Sequence, residues 1–189
     1  MRVITGTAKG KKLKTVPGET TRPITDRTKE ALFSILGHWI IDARVLDLFG
    51  GTGAVGIEAL SRGAAHVTFV EQAHIATRII GENLRLTNLA GRALVKRADA
   101  FKFLAQVPAQ PFDLIYIAPP QYQQLWAQAV RVVDERLHEW LLPDGAVIVQ
   151  IHPKEYQNLE LQNLVLYDER KYGSTMLCFY EWGGNVQRN

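Results

Sequence analysis

From position 44 the chain changes rhythm: short apolar runs alternate with stretches whose apolar residues recur every three to four positions. VLDLF, HVTFVE, ALVKRAD, FDLIYI and GAVIVQI read as strands. Between them, residues 53–61, 74–87, 101–105 and 123–140 read as helices, the last a single long one. Such alternation predicts an α/β fold with a mostly parallel sheet covered on both faces. The closing segment, LELQNLVLYDERKYGSTMLCFYEW, holds two strand patterns with a polar turn and no helix between them, so the sheet is expected to have an antiparallel edge and seven strands in all.

Ahead of this alternation, Thr25 or Asp26 can cap a helix whose Ala31, Leu32, Ile35, Leu36, Trp39 and Ile40 fall on one face. The first seventeen residues suggest two short strands, Val3–Ile4 and Leu13 to Val16, around a Gly/Lys turn. They carry too little apolar surface to stand alone, so residues 1–20 read as a hairpin extension packed on a main domain of residues 21–182, with 183–189 as a disordered tail. No basic segment leads into an apolar run, and no apolar run approaches the ~20 residues of a membrane span, so the cytoplasm is the expected location. Cys178 is the one cysteine and lies in an apolar strand pattern; with five scattered histidines, it leaves no zinc set in the sequence.

Charge is uneven. Residues 1–44 hold nine Lys or Arg against four acids, a net +5 on a body that is otherwise slightly acidic. Lys9, Lys11, Lys12, Arg22, Arg27 and Lys29 are therefore candidates for contact with a phosphate backbone.

The chemistry concentrates at the strand ends. LDLFGGTGAVGIEAL sets Gly50, Gly51, Thr52, Gly53 and Gly56 between a strand and a helix, where glycine lets backbone amides approach a ligand. Gly51, Gly53 and Gly56 match the dinucleotide fingerprint, so a nicotinamide cofactor competes with S-adenosylmethionine for this turn. Asp47, inside the strand just before the glycines, favours the second, whose ammonium and sulfonium call for an acid. Glu71 with Gln72 at the next strand end suits ribose hydroxyls, and Asp99 with Ala98 at the third suits an adenine amine. The fourth strand runs into Ala118, Pro119, Pro120, Gln121 and Tyr122. Two prolines end a strand stiffly, their neighbouring carbonyls can accept from an exocyclic amine, and Tyr122 offers a plate for a planar ring.

With RVITGTAKGKKL, TRPITDRTKEALFSIL, DLFGGTGAVGIEALSRGA, FVE, NLRLTNL and KYGSTMLCFYEW, the chain resembles the bacterial methyltransferases that modify the exocyclic N2 of a guanine in small-subunit ribosomal RNA. The likeness runs from about Arg2 to Trp182. It implies a Rossmann-like class I methyltransferase fold, S-adenosylmethionine as cofactor, small-subunit ribosomal RNA or a partly assembled particle as partner, and Asp47, Gly51, Gly53, Glu71 and Asp99 as cofactor residues. It also implies that Arg22, Thr25 and Arg27 lie near the active-site opening. The chain departs from related amino-methyltransferases at Ala118, where they usually carry Asp or Asn before the proline pair, and its aromatic ring comes one residue late. Gln121 is the expected substitute, folding back to hold the amine. The rival readings are a relative that binds RNA without transfer, methylation of another amine such as adenine N6 or a protein side chain, and a nicotinamide-dependent oxidoreductase.

Overall fold

The computed structural model describes residues 1–17 and 24–184. Seven strands form one sheet: β1 (Arg44–Asp47), β2 (His66–Glu71), β3 (Ala93–Arg97), β4 (Phe112–Ile117), β5 (Leu141–Ile151), β6 (Leu164–Tyr172) and β7 (Thr175–Trp182). Their order is β3-β2-β1-β4-β5-β7-β6; the first five are mutually parallel, and β7 runs antiparallel to both β5 and β6. The expected mixed sheet is therefore present. Chain order reverses between β1 and β4, and in open α/β sheets that switch point leaves a crevice beyond the carboxyl ends of the strands.

Among the described residues, six helices cover the sheet: α1 (Asp26–Leu36), α2 (Ala54–Ser61), α3 (His74–Thr87), α4 (Ala100–Leu104), α5 (Leu125–Glu135) and α6 (Leu137–Trp140). Strand alternation divides the core between the two faces. Val45, Leu114, Tyr116 and Ile148 pack with α1, α2 and α3, whereas Leu46, Ile115, Ile117, Val147 and Val149 pack with α4, α5 and α6. Central strands buried on both sides explain the unbroken apolar runs of the sequence.

Several expectations need correction. The long helix over 123–140 is two, because the backbone leaves helical geometry at Arg136 (φ −119°, ψ 34°). Strand β5 begins at Leu141, ahead of the GAVIVQI run, with a register shift against β4 between Phe112 and Leu114. In α1 the buried face is Thr28, Lys29, Leu32, Phe33 and Leu36; Ile35 and Trp39 are exposed, and a 3-10 turn over Gly37–Ile40 follows the helix. Thr25 is the cap, its side chain accepting from Thr28 N–H at 3.1 Å.

The N-terminal segment forms one bridge pair, Arg2 with Lys12, in place of two strands. It is fastened to α2. Ile4 and Thr5 N–H donate to the two carboxylate oxygens of Glu58 (2.8 and 3.0 Å), Ala8 N–H donates to Ser61 Oγ (3.0 Å), and Val3, Ala8 and Leu13 join the core. At the other end, Gly183 N–H donates to Asn163 O at 2.6 Å, so the start of the expected tail is tied down; residues 185–189 and Arg22 lie outside the described residues.

Candidate active site

A cavity of about 630 Å³ opens at the switch point between β1 and β4. The ends of β1, β2, β4 and β5, the turn after β3 and the start of α5 all contribute to its wall. A volume of this size suits a ligand of nucleoside dimensions.

The glycine turn forms one wall. Gly51 and Gly53 hold φ of +52° and +77°, a region costly for any residue with a Cβ, and Gly53 N–H closes the turn onto Gly50 O at 2.7 Å before α2 begins. Gly50, Gly51 and Thr52 line the cavity, whereas Gly53 faces Ile57 and Ile80 and shapes the turn from behind. Gly56 serves packing: a Cβ there would lie 2.3 Å from the Phe69 ring, so glycine lets α2 approach β2.

Both expected acids at this end line the cavity. Glu71 accepts from Gly51 N–H (3.0 Å) and from Ala73 N–H (2.8 Å), which couples the end of β2 to the glycine turn. Asp47 is fully buried and accepts from Gly56 N–H at 3.2 Å. Its carboxyl is pushed up to about 7, chiefly by burial; the Gly56 N–H pulls it down and the Glu71 charge adds to the rise. Neither acid forms an ion pair among the described residues. A buried carboxylate with no cation of the protein beside it favours a cationic ligand group.

Asp99 and Ala98 line the same cavity with Gln72. Asp99 also caps α4, its Oδ1 accepting from Phe101 and Lys102 N–H (3.0 and 2.9 Å). Asn83, absent from the sequence reading as a site residue, supports the turn from α3: its side-chain amide donates to Thr52 O (2.9 Å) and Lys14 O (3.1 Å) and accepts from Lys14 N–H (2.8 Å). Its signal lay in the NLRLTNL block, where a polar residue occupies an inward helix position.

Ala118 and Pro120 complete the far wall, and Pro119 is buried behind them. The glycine turn, Glu71 and the proline corner thus share one crevice. Gln121 is a correction: it is half-buried and does not line the cavity, whereas Gln123, Gln128 and Gln150 do. Tyr122 also stands off the cavity wall, 65% exposed, with its ring tilted against His152 at 5.8 Å between centroids. Its backbone is left-handed (φ +62°), and its N–H donates to Glu155 Oε1 at 2.6 Å; the same carboxylate accepts from His152 N–H through Oε2. A buried glutamate after β5 therefore holds the loop of the proline corner.

Among the candidate cations, Lys9, Lys11, Lys12 and Arg27 are exposed. Lys29 is the exception and a correction: its side chain is fully buried, with Nζ donating to Arg2 O and lying 3.4 Å from Glu58 Oε2. Helical periodicity placed it outside the apolar stripe because the partner that neutralises it comes from α2, 29 positions later.

The residues present fit S-adenosylmethionine. Two carboxylates face the place where its cationic end would be held or its ribose hydroxyls bound, and the glycine backbone leaves the wall open. No group of His, Cys, Asp and Glu among the described residues could hold a metal ion.

Comparison with known proteins agrees with this geometry. Residues 1–181 match the family described as "Conserved hypothetical protein 95". The ribosomal RNA small subunit methyltransferase D of Escherichia coli (strain K12) is 32% identical over 96% of this chain and 89% of its own length, and that of Haemophilus influenzae is 33% identical over 96% and 93%. Among solved structures, Escherichia coli yhhF superposes with a TM-score of 0.84 at 32% identity, covering 96% of this chain and 97% of its own; a hypothetical protein of Thermus thermophilus, TTHA0928, does so at 0.79 and 31%, covering 96% and 99%. The chain therefore belongs to the "Conserved hypothetical protein 95" family, is homologous to the small subunit methyltransferases D, and has the Rossmann-like class I methyltransferase fold.

Proposed function

We propose that the protein transfers a methyl group from S-adenosylmethionine to the exocyclic N2 amine of a guanine in small-subunit ribosomal RNA, in the cytoplasm. The observation that carries this reading is the convergence of the glycine turn, Asp47, Glu71 and the Ala118–Pro120 corner on one cavity. The names of the homologous methyltransferases support the RNA substrate, and the exposed Lys9, Lys11, Lys12 and Arg27 supply charge for its backbone.

When bound, S-adenosylmethionine supplies an electrophilic methyl on a sulfonium. Among the residues lining the cavity, Asp47 and Glu71 would hold the cofactor's cationic and ribose ends, with the Gly50–Thr52 backbone beside them, and Asp99 with Ala98 and Gln72 would bound the adenine side. The proline corner has a different task. A guanine N2 lone pair is delocalised into the ring, and acceptors that fix its N–H bonds turn the pair toward the methyl. The backbone of Ala118, at the cavity wall and held stiffly by the prolines that follow, is positioned for that purpose. In a duplex the base must first leave its stack, and the exposed Tyr122 ring at the neighbouring loop is a platform for it or for a flanking base.

The test is incubation of the protein with methyl-labelled S-adenosylmethionine and either small-subunit ribosomal RNA or partly assembled particles, followed by mapping of the labelled nucleotide. Label on a guanine N2 is the expected result. Label on adenine or on protein, or none with bound cofactor, overturns it.

A further inference from the structure

Residue 118 presents only a methyl group where the strand end meets the cavity. A side-chain acceptor is nevertheless built beside it. In the β4–β5 pairing Ile117 stands opposite Val149, so the next residues, Ala118 and Gln150, sit side by side. Tyr116 and Ala118 project to the same face of β4, and Gln150 projects to that face of β5 two residues beyond Ile148. Tyr116, Ala118 and Gln150 all line the cavity, and Asp47 is the register partner of Tyr116 on β1. These residues share one face of three adjacent strands, with Asp47 and Tyr116 at one level and Ala118 and Gln150 two residues further along.

On that face, the Tyr116 hydroxyl reaches along β5 and donates to Gln150 Oε1 at 2.5 Å. Tyr116 is buried, so its single proton is committed to this bond and the glutamine side chain is fixed by it. A carbonyl oxygen has two lone pairs, and one remains for a ligand N–H, polarised by the bond already made. Gln123 and Gln128 reach the cavity from a loop and a helix; both are exposed, and no side-chain hydrogen bond holds either among the described residues. A group fixed on a strand holds an acceptor more closely than one on a free loop.

We propose that Gln150, oriented by Tyr116, is the side-chain hydrogen-bond acceptor for the target amine, supplying what Ala118 lacks. The assignment rests on the methyl-transfer reading above. In the step it serves, the amine nitrogen's lone pair forms the new N–C bond while the C–S bond breaks and its electron pair leaves on sulfur. The amine proton passes to solvent, since an amide accepts the hydrogen bond without keeping the proton. Gln150 touches the substrate; Tyr116 is a positioning residue.

The experiment compares wild type, Gln150→Leu, Gln150→Glu, Tyr116→Phe and the double variant Ala118→Asn/Gln150→Leu, measuring methyl incorporation into small-subunit ribosomal RNA or particles, cofactor Kd by calorimetry, and Tm. Gln150→Leu is expected to lower kcat about 10²- to 10³-fold, the range for loss of a transition-state hydrogen bond, with cofactor Kd unchanged. Gln150→Glu, which keeps an acceptor oxygen, and Ala118→Asn added to Gln150→Leu should each recover at least about tenfold of that loss. Tyr116→Phe should lower kcat while leaving the KM for RNA in place. Wild-type turnover in Gln150→Leu overturns the assignment alone, as does a loss that neither acceptor restores. Absence of transfer by the wild type, with cofactor bound, overturns the reading beneath it as well.

Discussion

Lys29 and Glu58 form an ion pair in which neither side chain reaches solvent, with Nζ 3.4 Å from Oε2. Glu58 also accepts from Ile4 and Thr5 N–H and from Arg62 Nε (2.8 Å), so one buried carboxylate joins α1, α2 and the N-terminal segment. Burial lowers the Lys29 pKa, and Glu58 works against that shift. Breaking a buried pair at one end leaves the other charge without compensation, typically costing about 3–5 kcal/mol. Glu58→Ala should therefore lower stability by roughly that amount in urea unfolding, and Lys29→Ala should act through stability before any effect on RNA binding. Equal Tm values for wild type and Glu58→Ala would contradict this role.

Asp47 links cofactor affinity to pH. Its folded value, about 7, lies above the unfolded carboxyl value near 4, so ionisation costs the free protein stability: nothing below pH ~4, increasingly from there to about 7, and in full above it. Stability of the free protein is expected to fall across that window. A cationic ligand group needs the ionised form, so affinity for S-adenosylmethionine should weaken about tenfold per pH unit below 7. Asp47→Asn should raise Tm at pH 8 while weakening cofactor binding; calorimetry and thermal melts on the same variant check both.

Gly56 fixes the approach of α2 to β2. Because a Cβ there meets Phe69 ring carbons at 2.3 and 2.6 Å, Gly56→Ala should destabilise by about 1–3 kcal/mol, the usual cost of overpacking. Phe69→Leu in the same chain should return part of the loss. A double-mutant cycle showing no coupling would count against this packing account.

The exposed cations should separate by salt. If Lys9, Lys11 and Lys12 meet three phosphates, replacing all three with alanine should reduce the slope of log affinity against log salt by about 2–3. A slope unchanged from wild type would place the RNA elsewhere.

Tyr122 offers a further separation. Stacking of a base on an aromatic ring is worth about 1–3 kcal/mol, so Tyr122→Ala should raise the KM for RNA about 5- to 150-fold and leave cofactor affinity alone. Glu155→Ala should produce a milder form of the same defect, since it frees the loop whose left-handed Tyr122 backbone the carboxylate holds.

The architecture was legible because it depends on local periodicity. The apolar runs that became β1, β2, β4 and β5 are buried on both faces, so burial wrote itself into consecutive positions; the turn between β6 and β7 was legible for want of a helix between two strand patterns. The glycine turn and the acids at Asp47, Glu71 and Asp99 were likewise legible, because a parallel sheet brings successive strand ends to one edge. The break at Arg136 was not, since the apolar pattern carries on through it into α6.

What only the tertiary structure decided were relations between distant positions. Lys29 looked like a solvated cation until Glu58 was brought to it, and Gln121 looked like the acceptor because it follows the prolines in sequence. Register between β4 and β5 instead sets Gln150, thirty-two residues beyond Ala118, at that wall, and the Tyr116 hydroxyl fixes it there. A chain's own periodicity records which face of each element meets the core. Which side chain stands beside which across two strands is set by pairing and packing, and those interactions leave no mark in the spacing of either strand alone.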